Sequence, residues 1–342
     1  MLECGMVSFK LQCIVYRKTM SSMIYLLHSS QKRQPTNFYT TPFQKEWKRP
    51  LLVQGLVSKK TMVSLAKHLD FPWAPCPLSA FSCGEWGCSV LPNLYQTSAI
   101  VVHEFNQTSD PLMALGLLCS ALNQAKAERI VLLTPYLPYG RNPKAVDVLG
   151  RILESFGIEC LITLDPHGSD WMPQASFDIR ILSGIPIFLP ALKTSAITHI
   201  ISPDAGGKDR ATAWANALGC PVSFLSKKRT PHGPEIGHPH PDWADATCLI
   251  VDDLVDTGST LSQACAYVLG QGARRVMAAI THGVFSQSCL GQIQTSGLET
   301  LWISNTIPQS LSSAGMLHIL PWTDVFQPCN PPSGMTTGAS SG

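Results

Sequence analysis

Short apolar runs alternating with helix-period segments constrain this chain more than any other feature of its sequence. Residues 51–56, 99–105, 129–134 and 159–164 are apolar stretches too short for a buried helix and lacking a polar face, so each reads as a buried strand. Between them lie segments with helical spacing. Residues 58–69 place Met62, Leu65, Ala66 and Leu69 on one side. A second helix opens at Ser109-Asp110-Pro111, with proline in its first turn, and runs to about Lys126. A third spans 147–156 and stops at Gly157. The second half repeats the plan: strands at 197–202, 222–225, 248–251, 275–282 and 298–304, with helices at 209–218, stopped by Gly219, and at 260–269. Such alternation predicts an α/β fold in two similar domains, each a mostly parallel sheet flanked by helices.

Composition agrees. With 342 residues, 45% apolar and only 14% charged, the chain is long enough for two domains, predicted at 49–185 and 186–326, each with its own core. A net charge of +2 argues against a nucleic-acid or membrane surface, so any anion site must be local. No apolar run approaches the ~20 residues of a membrane span. Twelve cysteines without a CxxC pair read as reduced thiols in a cytoplasmic protein rather than a disulfide framework. Residues 1–48, basic apart from Glu3 and Glu46 and without period, read as an extension outside the fold, whether a targeting segment or a stretch upstream of a later start at Met20 or Met23. Residues 327–342, rich in Pro, Gly, Ser and Thr, read as a disordered tail. Residues 228–247 have no period and read as a long, lid-like loop. His232, His238 and His240 within it match no standard metal spacing.

The chemistry concentrates in Cys248-Leu-Ile-Val-Asp-Asp-Leu-Val-Asp-Thr-Gly-Ser-Thr260. Four apolar residues make a buried strand, and Asp252 and Asp253 stand at its carboxyl end, where open α/β sheets bind ligands. Asp256, Thr257, Gly258, Ser259 and Thr260 then turn the chain into a helix, whose first amides, dipole and neighbouring hydroxyls suit an anion. Carboxylates repel phosphate but accept hydrogen bonds from vicinal hydroxyls. The combination therefore fits a sugar phosphate better than a plain helix cap.

This segment resembles the ribose-phosphate-binding signature shared by type I phosphoribosyltransferases and ribose-phosphate pyrophosphokinases. Further segments resemble the pyrophosphokinases. Ser202-Pro-Asp-Ala-Gly-Gly207 is similar to their motif for magnesium and ribose phosphate, which implies that role for Asp204. Leu164-Asp-Pro-His167 resembles their Asp-Leu-His, which would bring His167 to magnesium and the ATP phosphates. Phe224-Leu-Ser-Lys-Lys-Arg229 resembles the basic catalytic segment and makes Lys227 and Arg229 the expected catalytic residues. Phe81-Ser-Cys-Gly-Glu85 resembles the adenine-holding stretch, implying Phe81 and Glu85 as ATP contacts, and Thr134-Pro-Tyr-Leu-Pro-Tyr-Gly-Arg141 leads to the expected nucleotide-binding Arg141. Thr281-His-Gly-Val-Phe-Ser286 and Ser304-Asn-Thr-Ile-Pro308 also match. By resemblance Asp252, Asp253, Asp256, Thr257, Gly258, Ser259 and Thr260 hold ribose 5-phosphate beside Asp204. The implied reaction moves the pyrophosphoryl group of ATP to the 1-hydroxyl of ribose 5-phosphate, with Mg2+ as cofactor, in a homo-oligomer (dimer or hexamer).

The chain departs from the family on the ATP side. Asn142-Pro143-Lys144 replaces a basic flexible loop, Cys83 stands where Asn or Asp is expected, and the final helix gives way to the tail. Two other readings therefore stand beside the first: a non-catalytic regulatory relative that binds ribose phosphates or nucleotides, and an enzyme of the same fold acting on another phosphoribosyl compound.

Overall fold

The computed structural model describes residues 47–327 except 90, 106–109, 169–174, 226, 231–232, 237–242, 287–288, 309–312 and 314. The first half contains β1 (Leu51–Gln54), α1 (Lys59–Leu69), β2 (Trp73–Ala74), β3 (Leu78–Ala80), β4 (Trp86–Cys88), β5 (Ser98–Val102), α2 (Asp110–Gln124), β6 (Arg129–Leu133), α3 (Pro143–Ser155), β7 (Cys160–Leu164), β8 (Asp178–Leu182) and α4 (Ile185–Leu192). The second contains β9 (His199–Ser202), α5 (Lys208–Leu218), β10 (Val222–Phe224), β11 (Lys227–Thr230), β12 (Gly233–Ile236), β13 (Thr247–Val255), α6 (Ser259–Gly270), β14 (Arg275–Gly283), α7 (Cys289–Gln294), β15 (Thr300–Ser304) and β16 (Leu317–Leu320).

Each half forms a six-stranded sheet, in the orders β2-β1-β5-β6-β7-β8 and β10-β9-β13-β14-β15-β16, and every neighbouring pair is parallel. In each, a two-stranded antiparallel ribbon, β3–β4 or β11–β12, is inserted between the second and third strands of the sheet. The central strands β5 and β7 are buried along their whole length, as parallel strands covered on both faces must be. Local chemistry fixes the helix starts. The Ser58 side chain accepts from the Thr61 amide, and Asn142 Oδ1 accepts from Lys144 and Ala145 ahead of Pro143 in the first turn.

Some elements escape the sequence pattern. The segment read as a structureless loop holds both strands of the β11–β12 ribbon, which pairs only with itself and so tolerates its Pro and Gly. β8 carries Asp178 and Arg180 in a five-residue run, and α4 is apolar on all sides with two prolines, so neither shows a period. Helix α3 begins at Pro143, four residues before the expected start. Strand β13 runs nine residues, through both acids to Val255. Trp47 and Lys48, at the end of the stretch set aside as an extension, pack with the first half: Trp47 is 2% exposed, and the Lys48 carbonyl accepts from Ser98 N at 2.9 Å.

The two halves correspond residue by residue. Ser98 and Thr247 open β5 and β13 opposite Arg129 and Arg275. Those arginines pair with Glu159 and Glu299, whose amides donate to Ile130 and Val276. Counting on from Ser98 and Thr247, His103-Glu104 falls at the place of Asp252-Asp253. Beyond β7 and β15, the amides of Gly184 and Trp322 donate to the side chains of Asp165 and Asn305 at 2.9 and 2.7 Å. Trp322 therefore stands where the first half has Gly184. Its indole Nε1 donates to Glu104 at 2.9 Å, covering the first half's counterpart of the acid pair.

The halves also share one apolar cluster, which includes Leu52, Phe188, Trp214 and Trp322. His282, 1% exposed, sits at the same junction, donating from Nε2 to the Leu164 carbonyl and accepting from Thr306 at Nδ1. Burial lowers its pKa to about 4, so the ring is neutral.

Burial raises the Glu104 carboxyl to about 7 against the hydrogen bond from Trp322. A raised acid pKa means folding favours the protonated form, so this contribution is complete below about pH 4.5 and is lost as pH climbs through about 7. The loss is expected to reach up to about 3 kcal/mol. Glu104→Gln, which can still accept from the indole, should remove that part of the slope in urea denaturation followed from pH 5 to pH 8.

Candidate active site

Sheet order fixes where a ligand can enter. In the second half the chain reverses direction across the sheet between β9 and β13, so the loops leaving these strands part and open a crevice at their carboxyl ends. A cleft of about 370 Å³ lies there. Asp204, Asp252, Asp253, Asp256, Thr257, Gly258 and Thr260 line it from the second half, and Arg141 and His167 from the first. Sequence elements separated by more than a hundred residues thus converge on one site.

One wall is an anion cradle. Asp256 and Thr257 leave β13, Gly258 adopts φ +81°, and α6 begins at Ser259. A side chain at Gly258 would be strained and would meet Cys289 Sγ and Ile293 Cγ1 at 3.0 Å, so the tight turn needs glycine. Gly258 caps α6 without a side-chain hydrogen bond, while the Ser259 amide donates to Thr257 Oγ1 at 3.4 Å, and the start of a helix is a place that suits an anion. Arg141 Nη1 donates to Asp256 Oδ2 at the mouth of this turn, holding that carboxyl below the usual range. Across the cleft, Asp204 Oδ1 accepts from the amides of Gly206 and Gly207 at 3.0 and 3.1 Å.

The acid pair forms the floor. Asp252 Oδ1 accepts from Arg210 Nη1 at 2.8 Å, and Asp253 Oδ2 from Arg210 Nη2 at 2.9 Å. Asp253 Oδ2 also accepts from His167 Nδ1 at 3.0 Å, across the boundary between the halves. Burial and the neighbouring Asp253 charge raise Asp252 to about 7, against the pull of Arg210. Asp253 is held well below the carboxylate range because the His167 hydrogen bond and the Arg210 charge outweigh its burial. His167 is raised by the same hydrogen bond against partial desolvation. Asp253 is thus the charged partner of two cations, and Asp252 the acid more readily protonated.

Beneath them lies Asp165, fully buried. Its Oδ2 accepts from Thr281 Oγ1 at 2.6 Å and from Gly184 N at 2.9 Å, while its Oδ1 has no partner among the described residues. Burial raises its pKa.

Not every expected residue reaches this cleft. Phe81 and Glu85 are exposed at the tip of the β3–β4 ribbon, joined by the Phe81 N to Glu85 O bond at 2.8 Å, and neither lines the cavity. Lys227 and Arg229 fall on β11, whose side chains lie outside the described residues, as do His232, His238 and His240. Two residues that sequence reasoning did not assign, Arg210 and Asp165, prove central. Arg210 carries a weak signal, one helical turn after Gly207 at the start of α5. Its first partner, Asp252, lies 42 residues further on, with Asp253 next to it.

Among the described residues no three His, Cys, Asp or Glu side chains converge as a metal cage, and no helix is long and apolar enough to cross a membrane. The arrangement offers a helix start suited to an anion, a pair of hydroxyl acceptors and a histidine paired with a carboxylate within one cleft. Those are the requirements of a phosphate ester that carries adjacent hydroxyls.

Comparison with known proteins gives the family. Residues 51–152 match the N-terminal domain of ribose phosphate pyrophosphokinase, and residues 192–295 the phosphoribosyl transferase domain. The chain is 30% identical over 287 residues to ribose-phosphate pyrophosphokinase of Nitrosomonas europaea, covering 79% of this chain and 90% of that protein. It is 32% identical over 275 residues to the enzyme of the same name from Neisseria meningitidis serogroup A, covering 76% and 84%. Its fold matches phosphoribosylpyrophosphate synthetase from Mycobacterium smegmatis with a TM-score of 0.71 at 23% identity, over 81% of this chain and 95% of that one. The chain belongs to the ribose-phosphate pyrophosphokinase family.

Gly207→Ala tests how tightly the Asp204 turn is packed. Its methyl would come within 2.5 Å of Ser202 Oγ, whose hydroxyl donates to the Asp204 carbonyl at 2.8 Å. The substitution should cost about 1–3 kcal/mol in urea denaturation with an unchanged m-value.

Proposed function

We propose that this chain transfers the pyrophosphoryl group of ATP to the 1-hydroxyl of ribose 5-phosphate, giving 5-phosphoribosyl 1-pyrophosphate and AMP. One observation carries the reading: in a member of this family, an anion cradle at the head of α6 and the Asp252–Asp253 pair share a single cleft at the switch point. In this reading the 5-phosphate sits against the first turn of α6 with Thr257, Ser259 and Thr260, and the 2- and 3-hydroxyls donate to the two carboxylates. The 1-hydroxyl oxygen then attacks the β-phosphorus of ATP and gives up its proton to solvent, the bond from that phosphorus to the α-phosphate oxygen breaks, and AMP departs.

Such a displacement rests on alignment and charge neutralisation. Lys227 and Arg229 stabilise the charge that develops on the transferred group. His167, whose protonated form the hydrogen bond to Asp253 favours, stands beside the incoming phosphates. Arg141 exchanges Asp256 for a nucleotide phosphate. A magnesium ion suits this donor set, because it keeps several waters and takes one or two carboxylates plus substrate phosphates rather than a protein cage. Asp204, with one oxygen engaged by the Gly206 and Gly207 amides, would hold it, and His167 would stand nearby. When bound, the ion neutralises phosphate charge. Since Phe81 and Glu85 are exposed outside the cleft, they reach the adenine of a nucleotide bound to another copy of the chain, which makes the working form a homo-oligomer. The buried Cys119, Cys248, Cys265 and Cys289 are free thiols, in keeping with a cytoplasmic enzyme.

Purified protein given ATP, Mg2+ and ribose 5-phosphate should produce AMP and phosphoribosyl pyrophosphate in equal amounts, read by phosphorus NMR. No AMP with ribose 5-phosphate still bound would rule out the catalytic reading. Lys227→Ala should lower kcat by about 10²–10³-fold and leave the Kd for ribose 5-phosphate within about twofold.

A further inference from the structure

Asp252 and Asp253 are adjacent residues of an extended strand, and successive side chains of a strand point to opposite faces. Left to the backbone, the two carboxylates would diverge and could not meet one small ligand together. They converge because one guanidinium bridges them: Nη1 of Arg210 reaches Asp252 Oδ1 at 2.8 Å and Nη2 reaches Asp253 Oδ2 at 2.9 Å. The other engaged contacts fall on the same two oxygens. Asp253 N donates to Asp252 Oδ1 at 2.9 Å and His167 Nδ1 to Asp253 Oδ2 at 3.0 Å. The two carboxyls also hydrogen-bond each other, so the bridge holds them side by side at the cleft, where a pair of adjacent hydroxyls could meet both.

We infer that Arg210 is the positioning residue that makes the two acids act as one reader of a vicinal diol, and so sets the preference for ribose 5-phosphate over its 2-deoxy counterpart. Three observations support an arrangement directed at a ligand rather than at stability alone. The guanidinium is 15% exposed at its side chain and lines the cleft. Its Nε is buried with no partner among the described residues, so the fork spends its charge on the acid pair at the expense of its own full satisfaction. And Gly207 makes room for it, since a Cβ there would come within 3.3 Å of Nη1. A planar fork matches two carboxylates in fixed geometry, which a lysine ammonium cannot do.

The inference rests on the hydroxyl-reading role proposed for the acid pair, and the experiment separates the two. The ratio of kcat/KM for ribose 5-phosphate to that for 2-deoxyribose 5-phosphate is measured on the wild-type chain, Asp252→Asn, Arg210→Lys and Arg210→Met, together with KM for ATP. Both Arg210 variants should lower the ratio at least tenfold, with KM for ATP within twofold of wild type. The lysine variant should do so while its Tm stays within a few degrees. If Asp252→Asn collapses the ratio and the Arg210 variants keep it, the positioning role is overturned and the hydroxyl-reading role stands. If Asp252→Asn leaves the ratio unchanged, the hydroxyl-reading role fails, and the inference with it. A proportionate loss on both sugars at constant ratio also overturns it, marking Arg210 as merely structural. Should both Arg210 variants fail to fold, the ratio is read on Gly207→Ala, which displaces the guanidinium without removing its charge; an unchanged ratio there counts against the inference.

Discussion

A guanidinium enclosed by carboxylates can remain inside a protein only while its ion pairs hold. Arg210 faces Asp252 and Asp253 directly, with Asp165 and Asp204 also contributing to its field. Breaking such a buried pair typically costs about 3–5 kcal/mol, because the abandoned charge has nowhere to go. The surroundings follow from that constraint. α5 must start at Lys208 to aim Arg210 at β13, Gly207 must lack a side chain, and β13 must extend past its apolar run to present both acids. His167 then arrives from the other half to share Asp253. The cleft owes its shape to one charge and the groups that neutralise it.

The same constraint ties the site to the junction of the two halves. Asp165 belongs to the first half, yet it accepts from Thr281 of the second. His282, neutral through burial, bridges Leu164 and Thr306. The residues that tune the acids and those that join the halves are therefore neighbours, so a rotation of one half against the other would disturb the His167–Asp253 bond early.

Much of this was legible in the sequence because it is local. The four apolar residues before Asp252 and the hydroxyl-rich turn at Gly258 specify strand, turn and helix within thirteen residues, and the structure has them so. The alternation of strands and helices likewise yielded two parallel sheets. What escaped is what long-range packing decides. Arg210 has no sequence neighbour that explains it, and α4 shows no period because both of its faces are covered. The β11–β12 ribbon forms by backbone pairing in a stretch whose composition suggests none. Phe81 and Glu85 show the opposite limit: the resemblance supplied a role, but the fold of one chain keeps them out of its own cleft.

The correspondence between the halves has a further consequence. The architecture provides two sockets, one per sheet, and Trp322 stoppers the first while Gly184 leaves the second open. The stopper comes from the far end of the second half, so the idle socket serves as the clasp that sets how the lobes meet.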